Sequence, residues 1–224
     1  MFMHKSLENL ASIKNEVNEI INKTQLKTKP KIIVVSKTFP LDKILPLIKN
    51  GHDHFGENKI QEAEEKWIAI KKNNKNLQLH MIGKLQNNKA KKAVKLFDYI
   101  HSLDSEKLAL KISEYEVKLK KKTKLFIQVK LAEESTKSGI GLGQLNDFYN
   151  YCTKKLSLNI IGLMCLPPIN SDSDKYFKKL KECASDLKLN ELSMGMSADF
   201  RKALENGSTY LRLGTLILGE RKIT

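Results

Sequence analysis

Short apolar runs alternate with amphipathic stretches along the whole chain. The clearest run is Ile32-Ile33-Val34-Val35, which follows Pro30 and consists of β-branched residues. This composition is typical of a buried strand in a parallel sheet. Further runs of this kind follow, and strands are predicted over residues 31–36, 52–55, 79–82, 99–101, 125–129, 160–163, 192–194 and 210–213.

The segments between these runs have the spacing of apolar residues that a helix requires. An opening helix is predicted over residues 7–22, where Leu10, Ile13 and Val17 share one face. Further helices are predicted over residues 41–49, 60–70, 89–96, 106–119, 145–154, 176–187 and 198–206. Good N-cap residues for three of them are found at Asp104-Ser105, Ser173-Asp174 and Ser197.

Eight strands that each lead into a helix predict a single α/β domain, a (β/α)8 barrel of the TIM type with an extra N-terminal helix. An open doubly wound sheet is the alternative, because several predicted strands are very short. No Pro/Gly/Ser-rich linker divides the chain, and barrels commonly contain roughly 200–250 residues. We therefore expect residues 1–224 to form one domain.

The formal charge of +15 at pH 7 is compatible with nucleic-acid binding. However, almost all basic residues are lysines spread over every helix, and aromatic residues are not interleaved with them as base stacking requires. We expect no specific nucleic-acid partner, only weak adhesion at low salt.

Composition also bears on the cellular compartment. No apolar run reaches the ~18 residues of a membrane span, and the N-terminus lacks the apolar core of a secretion signal. Cys152, Cys165 and Cys183 are odd in number and lack metal-ligand spacing. We expect free thiols in a reducing cytoplasm and no membrane partner.

Two weaker patterns remain. His52 and His54 could form a metal pair with Glu57 nearby, but two histidines alone are a weak signal, and we expect no metal site. The glycine-rich residues 139–143 lack the spacing of a dinucleotide-binding turn and are predicted to form a flexible loop, beside a lysine-glycine pattern at Lys137 and Gly139.

Active sites of TIM-type barrels gather at the carboxyl ends of the strands. Lys37 follows the first strand on the face that Ile33 and Val35 share. Partial burial there favours the uncharged amine, which is suited to a Schiff base with an aldehyde. A lysine that simply extends into water is the ordinary alternative.

The last two strands end in residues suited to a phosphate. Residues 193–197 pass through Gly195 to Ser197, an expected N-cap, and a helix N-terminus attracts anions. Gly214 and Thr215 offer close backbone approach and a hydroxyl donor. Arg212 shares a face with Gly214 and is expected to point into the barrel. An ordinary cap and an ordinary loop are the alternatives.

In this order and spacing, the segments resemble the pyridoxal phosphate homeostasis protein family over nearly the whole chain. The segments that carry the resemblance are VVSKT (34–38), FGENKIQE (55–62), HMIGKLQNNK (80–89), GLMC (162–165), LSMGMS (192–197), LRLGT (211–215) and GER (219–221).

The resemblance implies a barrel similar to the N-terminal domain of bacterial alanine racemase, with pyridoxal 5′-phosphate (PLP) held through a Schiff base on Lys37. It also implies that the phosphate binds at Ser197, Gly214 and Thr215. Arg212 would then lie near the ring or the phosphate, and Asn58 would line the ring pocket.

Racemisation requires two bases, one on each face of the cofactor adduct. In the racemases that the barrel resembles, the second base is a tyrosine from a second, β-rich domain, and dimerisation completes the site. The present chain reaches Thr224 about where a barrel is complete. No tyrosine here lies in a motif that marks it as a replacement. We therefore expect no catalytic residue, and a protein that holds PLP reversibly and takes part in intracellular PLP (vitamin B6) homeostasis.

The alternative is a weak PLP-dependent amino-acid racemase or another PLP enzyme. A third hypothesis is a barrel that binds an unrelated phosphorylated ligand or adheres to nucleic acid. For the PLP-binding protein, the expected partners are PLP itself and PLP-requiring apoenzymes that receive it. A monomer is the default expectation.

Overall fold

The computed structural model describes residues 4–26, 29–132, 138–169 and 171–220. Lys137 and Arg221 of the sequence patterns lie outside these residues. The strands are β1 (Lys31–Val35), β2 (His54–Glu57), β3 (Gln78–Met81), β4 (Tyr99–Leu103), β5 (Lys124–Lys130), β6 (Ile140–Gly141), β7 (Ile160–Met164), β8 (Glu191–Ser193) and β9 (Tyr210–Leu213).

The helices alternate with these strands. They are α1 (Lys5–Thr24), α2 (Leu41–Lys49), α3 (Ile60–Asn73), α4 (Ala90–Leu96), α5 (Glu106–Leu119), α6 (Leu145–Asn150), α7 (Ser173–Asp186), α8 (Phe200–Glu205) and α9 (Thr215–Leu218). A π-helical turn, Tyr151–Lys155, continues α6. In the described part of the chain, no helix combines the length and apolar character that crossing a bilayer requires.

Eight parallel strands close into a barrel, as predicted. Neighbouring strands pair in the order β1, β2, β3, β4, β5, β7, β8, β9, and β9 returns to β1. The pairing of β4 with β5 closes the sheet and rules out the open doubly wound alternative. The short β6 lies beside β5 and is not part of the closed ring.

Two local expectations were wrong. Residues 139–143 are not a flexible loop, because Ile140 pairs with Val129 and a 3₁₀ turn follows at Leu142–Gln144. Ser173 does not cap α7, whose N-cap is Asp172.

The main apolar core lies between the barrel and its ring of helices, and it includes the fully buried Trp67 and Phe97. The extra helix α1 packs against α2, α8 and α9. The side-chain amide of Asn9 in α1 donates to the carbonyl of Ile217 in α9 at 3.0 Å. This hydrogen bond ties the two helices together.

A second, smaller cluster fills the inside of the barrel. Its members are Ile33, Tyr99, Phe126, Met164 and Tyr210. Barrels of this type usually contain layers of branched aliphatic side chains there. In this barrel, three of the five members of the inner cluster are aromatic, and polar side chains described below also lie in the interior.

The contact between β7 and β8 gives a test of the strand register. Gly162 pairs with Glu191, and a Cβ atom at position 162 would lie 2.0 Å from the backbone oxygen of Glu191. Backbone atoms in a closed sheet cannot move away easily. We expect Gly162→Ala to lower the free energy of unfolding by about 1–3 kcal/mol or more, measured by urea denaturation.

Gly143→Ala is the matched control, because a Cβ atom at position 143 meets no atom within 4 Å. Equal stability of the two variants would contradict the close approach of β7 and β8.

Candidate functional site

Lys37 lies just beyond β1, at the carboxyl rim of the barrel. The strand ends at Val35, one residue earlier than predicted, and the N–H of Ser36 still donates to the carbonyl of Gly56 at 3.0 Å. Ile33 points into the barrel, as the alternation of side chains predicts. The side chain of Lys37 is half-buried.

The strands on either side bring two more predicted residues to this rim. Val35 pairs with Gly56 of β2, so Asn58 follows β2 at the level at which Lys37 follows β1. On the other side, β9 pairs with β1, and a Cβ atom at Gly214 would contact Val35 at 3.5 Å. Three distant parts of the sequence therefore meet at one edge of the barrel.

Asn58 has a buried acceptor. Its side-chain oxygen is shielded from solvent and has no hydrogen-bond partner among the described residues. A cavity of about 300 Å³ is lined by Asn58 together with Gly83, Lys84, Gln128 and other residues. Buried polar atoms normally have a partner, so an orphaned oxygen beside a cavity favours a ligand donor. The lining of this cavity does not include the other predicted site residues.

The two hydroxyls predicted for a phosphate lie at the ends of adjoining strands. Ser197 is in the turn that follows β8, and Thr215 is the first residue of α9. The expectation that Ser197 caps a helix was wrong. The N-cap of α8 is Asp199, whose carboxylate accepts the backbone N–H of Met196 at 2.7 Å, and α8 begins only at Phe200.

Arg212 points into the barrel and is almost completely buried. Its guanidinium donates to the hydroxyl of Ser193 at 2.7 Å and to the backbone carbonyl of Cys165 at 3.0 Å. Burial lowers the pKa of this guanidinium below its ordinary value. Both of these hydrogen bonds are to neutral groups, and a buried cation held in this way favours a ligand that supplies negative charge or an acceptor atom.

The chain is similar to known proteins over almost its whole length. A family model described as the N-terminal domain of alanine racemase matches residues 9–222. The pyridoxal phosphate homeostasis protein of Pasteurella multocida is 32% identical over 225 residues, or 96% of this chain and 97% of that protein. The chain belongs to the pyridoxal phosphate homeostasis protein family.

Solved structures agree with this assignment. PipY of Synechococcus elongatus, a structure with PLP bound, is 34% identical, with a TM-score of 0.84 over 96% of this chain and 100% of that one. The alanine racemase of Clostridium difficile shares the fold at 16% identity and a TM-score of 0.68, over 95% of this chain and 56% of the racemase. The resemblance expected from the motifs is thus confirmed.

In this homeostasis-family barrel, Ser193 also begins a chain of imidazoles that sequence reasoning missed. Its hydroxyl oxygen lies 2.8 Å from Nδ1 of His101. Nε2 of His101 lies 2.9 Å from Nδ1 of His80, and Nε2 of His80 lies 2.8 Å from Nδ1 of His54. The chain crosses the barrel interior from Arg212 to the amino end of the strands. The sequence signal for this imidazole chain was the presence of histidines at inward-facing positions of the predicted strands.

The histidines are held in a desolvated setting. Burial lowers the pKa of His80 and His101 well below 6.5 and also lowers that of His54. His52, which donates from Nε2 to the carbonyl of His54, has its pKa lowered by burial to about 4. Neutral imidazoles are therefore the forms that this barrel interior favours. These contacts give His52 and His54 hydrogen-bonding partners within the protein.

These pKa shifts predict that the protein loses stability in mild acid. Below 6.5 the unfolded chain takes up protons on these histidines, whereas the folded chain does not. The contribution of these neutral histidines to the free energy of unfolding is fully present above pH 6.5. It is lost as the pH falls toward their pKa values in the folded protein. We expect the free energy of unfolding to fall by up to about 1.4 kcal/mol per pH unit for each such histidine.

Urea denaturation between about pH 7 and pH 5 measures this dependence. His52→Gln removes one of the four groups and should give a shallower slope. Constant stability across this range would contradict the neutral, buried state of the histidines.

Proposed function

We propose that this chain binds PLP at the carboxyl rim of the barrel and takes part in PLP homeostasis. The observation that carries the proposal is the strand register, which gathers Lys37, Asn58 and Gly214 at one edge with Arg212 beneath them. Membership of the family supports it, as does the bound PLP of the related PipY.

The residues at the rim fit the parts of PLP. PLP supplies an aldehyde and an electron-withdrawing ring. The amine of Lys37 suits the aldehyde, with which it would form a reversible Schiff base and release one water molecule. Buried Arg212 is a donor that suits an acceptor atom of the ring or the phosphate, and the orphaned oxygen of Asn58 is an acceptor that suits a donor on the ring.

The phosphate is assigned to the ends of β8 and β9. The hydroxyls of Ser197 and Thr215 are donors there, and Gly214 has no side chain to obstruct the approach of a ligand to the backbone. Hydrogen bonds to a charged phosphate oxygen are among the stronger ones in proteins. The assignment does not depend on a capped helix N-terminus, which the structure does not provide at Ser197.

We further propose that the protein does not turn over amino acids. All six tyrosines lie in the described residues. Tyr99 and Tyr210 are at the starts of β4 and β9, and the others are in helices around the barrel: Tyr115, Tyr149, Tyr151 and Tyr176. None follows the carboxyl end of a barrel strand, where a tyrosine base opposite Lys37 would be required.

The cellular setting completes the proposal. Cys152, Cys165 and Cys183 are all buried and unpaired, which suits a reducing cytoplasm. We propose that residues 1–224 act as one monomeric domain that passes PLP to PLP-requiring apoenzymes.

Replacement of Lys37 tests the covalent attachment. After addition of PLP and removal of the excess, we expect the wild-type protein to show a visible absorbance band that borohydride converts to a reduced adduct on Lys37. Lys37→Ala should lose this band but keep weaker, non-covalent binding through the phosphate contacts. Lys31→Ala is the matched control, because Lys31 begins the same strand, with its amine over the ring of Tyr210. An unchanged band in Lys37→Ala would contradict the assignment.

An amino-acid assay separates the binding protein from the runner-up, a weak racemase, which the shared fold with alanine racemase favours. The PLP-loaded protein is incubated with L-alanine, and the D-isomer is measured by chiral chromatography. We expect no sustained turnover, because the rim lacks an opposing tyrosine. Formation of the D-isomer at about one per second or faster, within the ordinary range of enzymes, would establish the racemase instead.

A further inference from the structure

The turn that carries Lys37 has an unusual backbone. Thr38 has a φ of +65°, in the left-handed region. A β-branched residue rarely occupies this region, because its side chain crowds the backbone. Such residues persist only where their surroundings hold them, and they cluster at ligand sites. The contacts that hold this turn therefore bear on the role of Lys37.

Helix α3 supplies contacts on both sides of Lys37. Glu62 and Lys66 are one helical turn apart, and the amine of Lys66 lies 3.0 Å from Oε1 of Glu62. The same Oε1 atom accepts the backbone N–H of Thr38. The amine of Lys66 also donates to the backbone carbonyl of Ser36 at 2.8 Å. The residues before and after Lys37 are thus tied to one pair of side chains.

Glu57, the last residue of β2, joins this pair from the barrel side. Its side chain is fully buried, and Oε1 accepts from the amine of Lys66 at 3.0 Å. It also accepts from the hydroxyl of Ser36 at 2.8 Å and from the indole N–H of Trp67 at 2.9 Å. These donors stabilise a carboxylate that would otherwise be costly to bury. Glu57 therefore fixes both Ser36 and Lys66.

We propose that Glu57, Glu62 and Lys66 are positioning residues for Lys37. They direct its amine by fixing the backbone on both sides of it. This role depends on the proposed function, because it matters only if Lys37 reacts with an aldehyde. Stability alone is a poor explanation, since a buried ion pair is often no more stabilising than apolar residues of similar volume. The reaction of a positioned amine is, by contrast, sensitive to small displacements.

Glu62→Ala tests the proposal through the rate at which PLP attaches to Lys37. In that reaction a bond forms between Nζ and the aldehyde carbon, and one water molecule leaves. Borohydride traps the product, and peptide mass spectrometry locates it, with the other lysines of the chain as an internal reference. We expect the rate at Lys37 to fall about tenfold or more, since a ~1 Å displacement can cost up to ~100-fold.

Two further variants serve as comparisons. Glu62→Gln keeps a side-chain oxygen that can accept the N–H of Thr38, so it should retain most of the rate. Glu64→Ala is the matched control on the same helix, because Glu64 pairs with the exposed Lys92 at 2.6 Å and not with the turn. It should react as the wild-type protein does.

Amide hydrogen exchange at Thr38 gives a readout that requires no PLP. Exchange should become faster in Glu62→Ala, where the N–H loses its acceptor, and stay unchanged in Glu64→Ala. Adding Thr38→Gly to Glu62→Ala removes the crowding at positive φ and should restore part of the lost rate at Lys37. This double variant also guards against poor folding of the single one.

The possible results separate the two proposals. A wild-type rate at Lys37 in Glu62→Ala, with faster exchange at Thr38, would overturn the positioning role. Unchanged exchange at Thr38 would show that Glu62 does not hold the turn, which would also overturn it. Unselective attachment to many lysines of the wild-type protein would overturn the proposed function, while exchange at Thr38 would still report on the turn.

Discussion

The parallel register of β1 between β2 and β9 determines which side chains meet at the rim. Val35 pairs with Gly56 on one side, and Val34 pairs with Leu213 on the other. A shift of one residue in either pairing would turn the inward side chains of that strand outward. Closure of the barrel through β4 and β5 removes the free edges at which such a shift would be easiest. The site is therefore as well defined as the sheet itself.

Polar groups deep in the barrel connect the fold to the site. Arg212 is held by Ser193 and by a carbonyl at the end of β7, so two neighbouring strands fix its guanidinium below the rim. The energetic cost of burying this cation is offset only in part by neutral partners. A ligand with negative charge would thus bind to a group whose position is already set, which reduces the entropy lost on binding.

The sequence predicted the parts of the structure that depend on local signals. The bounds of α2 and α5 match the prediction, since Pro40 precedes α2 and Ser105 caps α5 by accepting the N–H of Leu108. The predicted ends of the strands were also enough to place Lys37, Asn58 and Gly214 at the carboxyl rim of the barrel. Ser197 was misjudged because Asp199, two residues later, became the N-cap. The imidazole chain was missed because the sequence does not give the register of β2, β3 and β4, which brings His54, His80 and His101 together.

That chain has a direction. A guanidinium can only donate, so the hydroxyl of Ser193 accepts from Arg212. Among the described residues, Nδ1 of His101 is the acceptor that contacts this hydroxyl, so the hydroxyl donates its proton there. His101 must then donate from Nε2 to His80, and His80 from Nε2 to His54. One guanidinium thereby selects the tautomer of three histidines. Their dipoles align along a single path through the barrel, and a reversal at one ring would require all of them to reverse together.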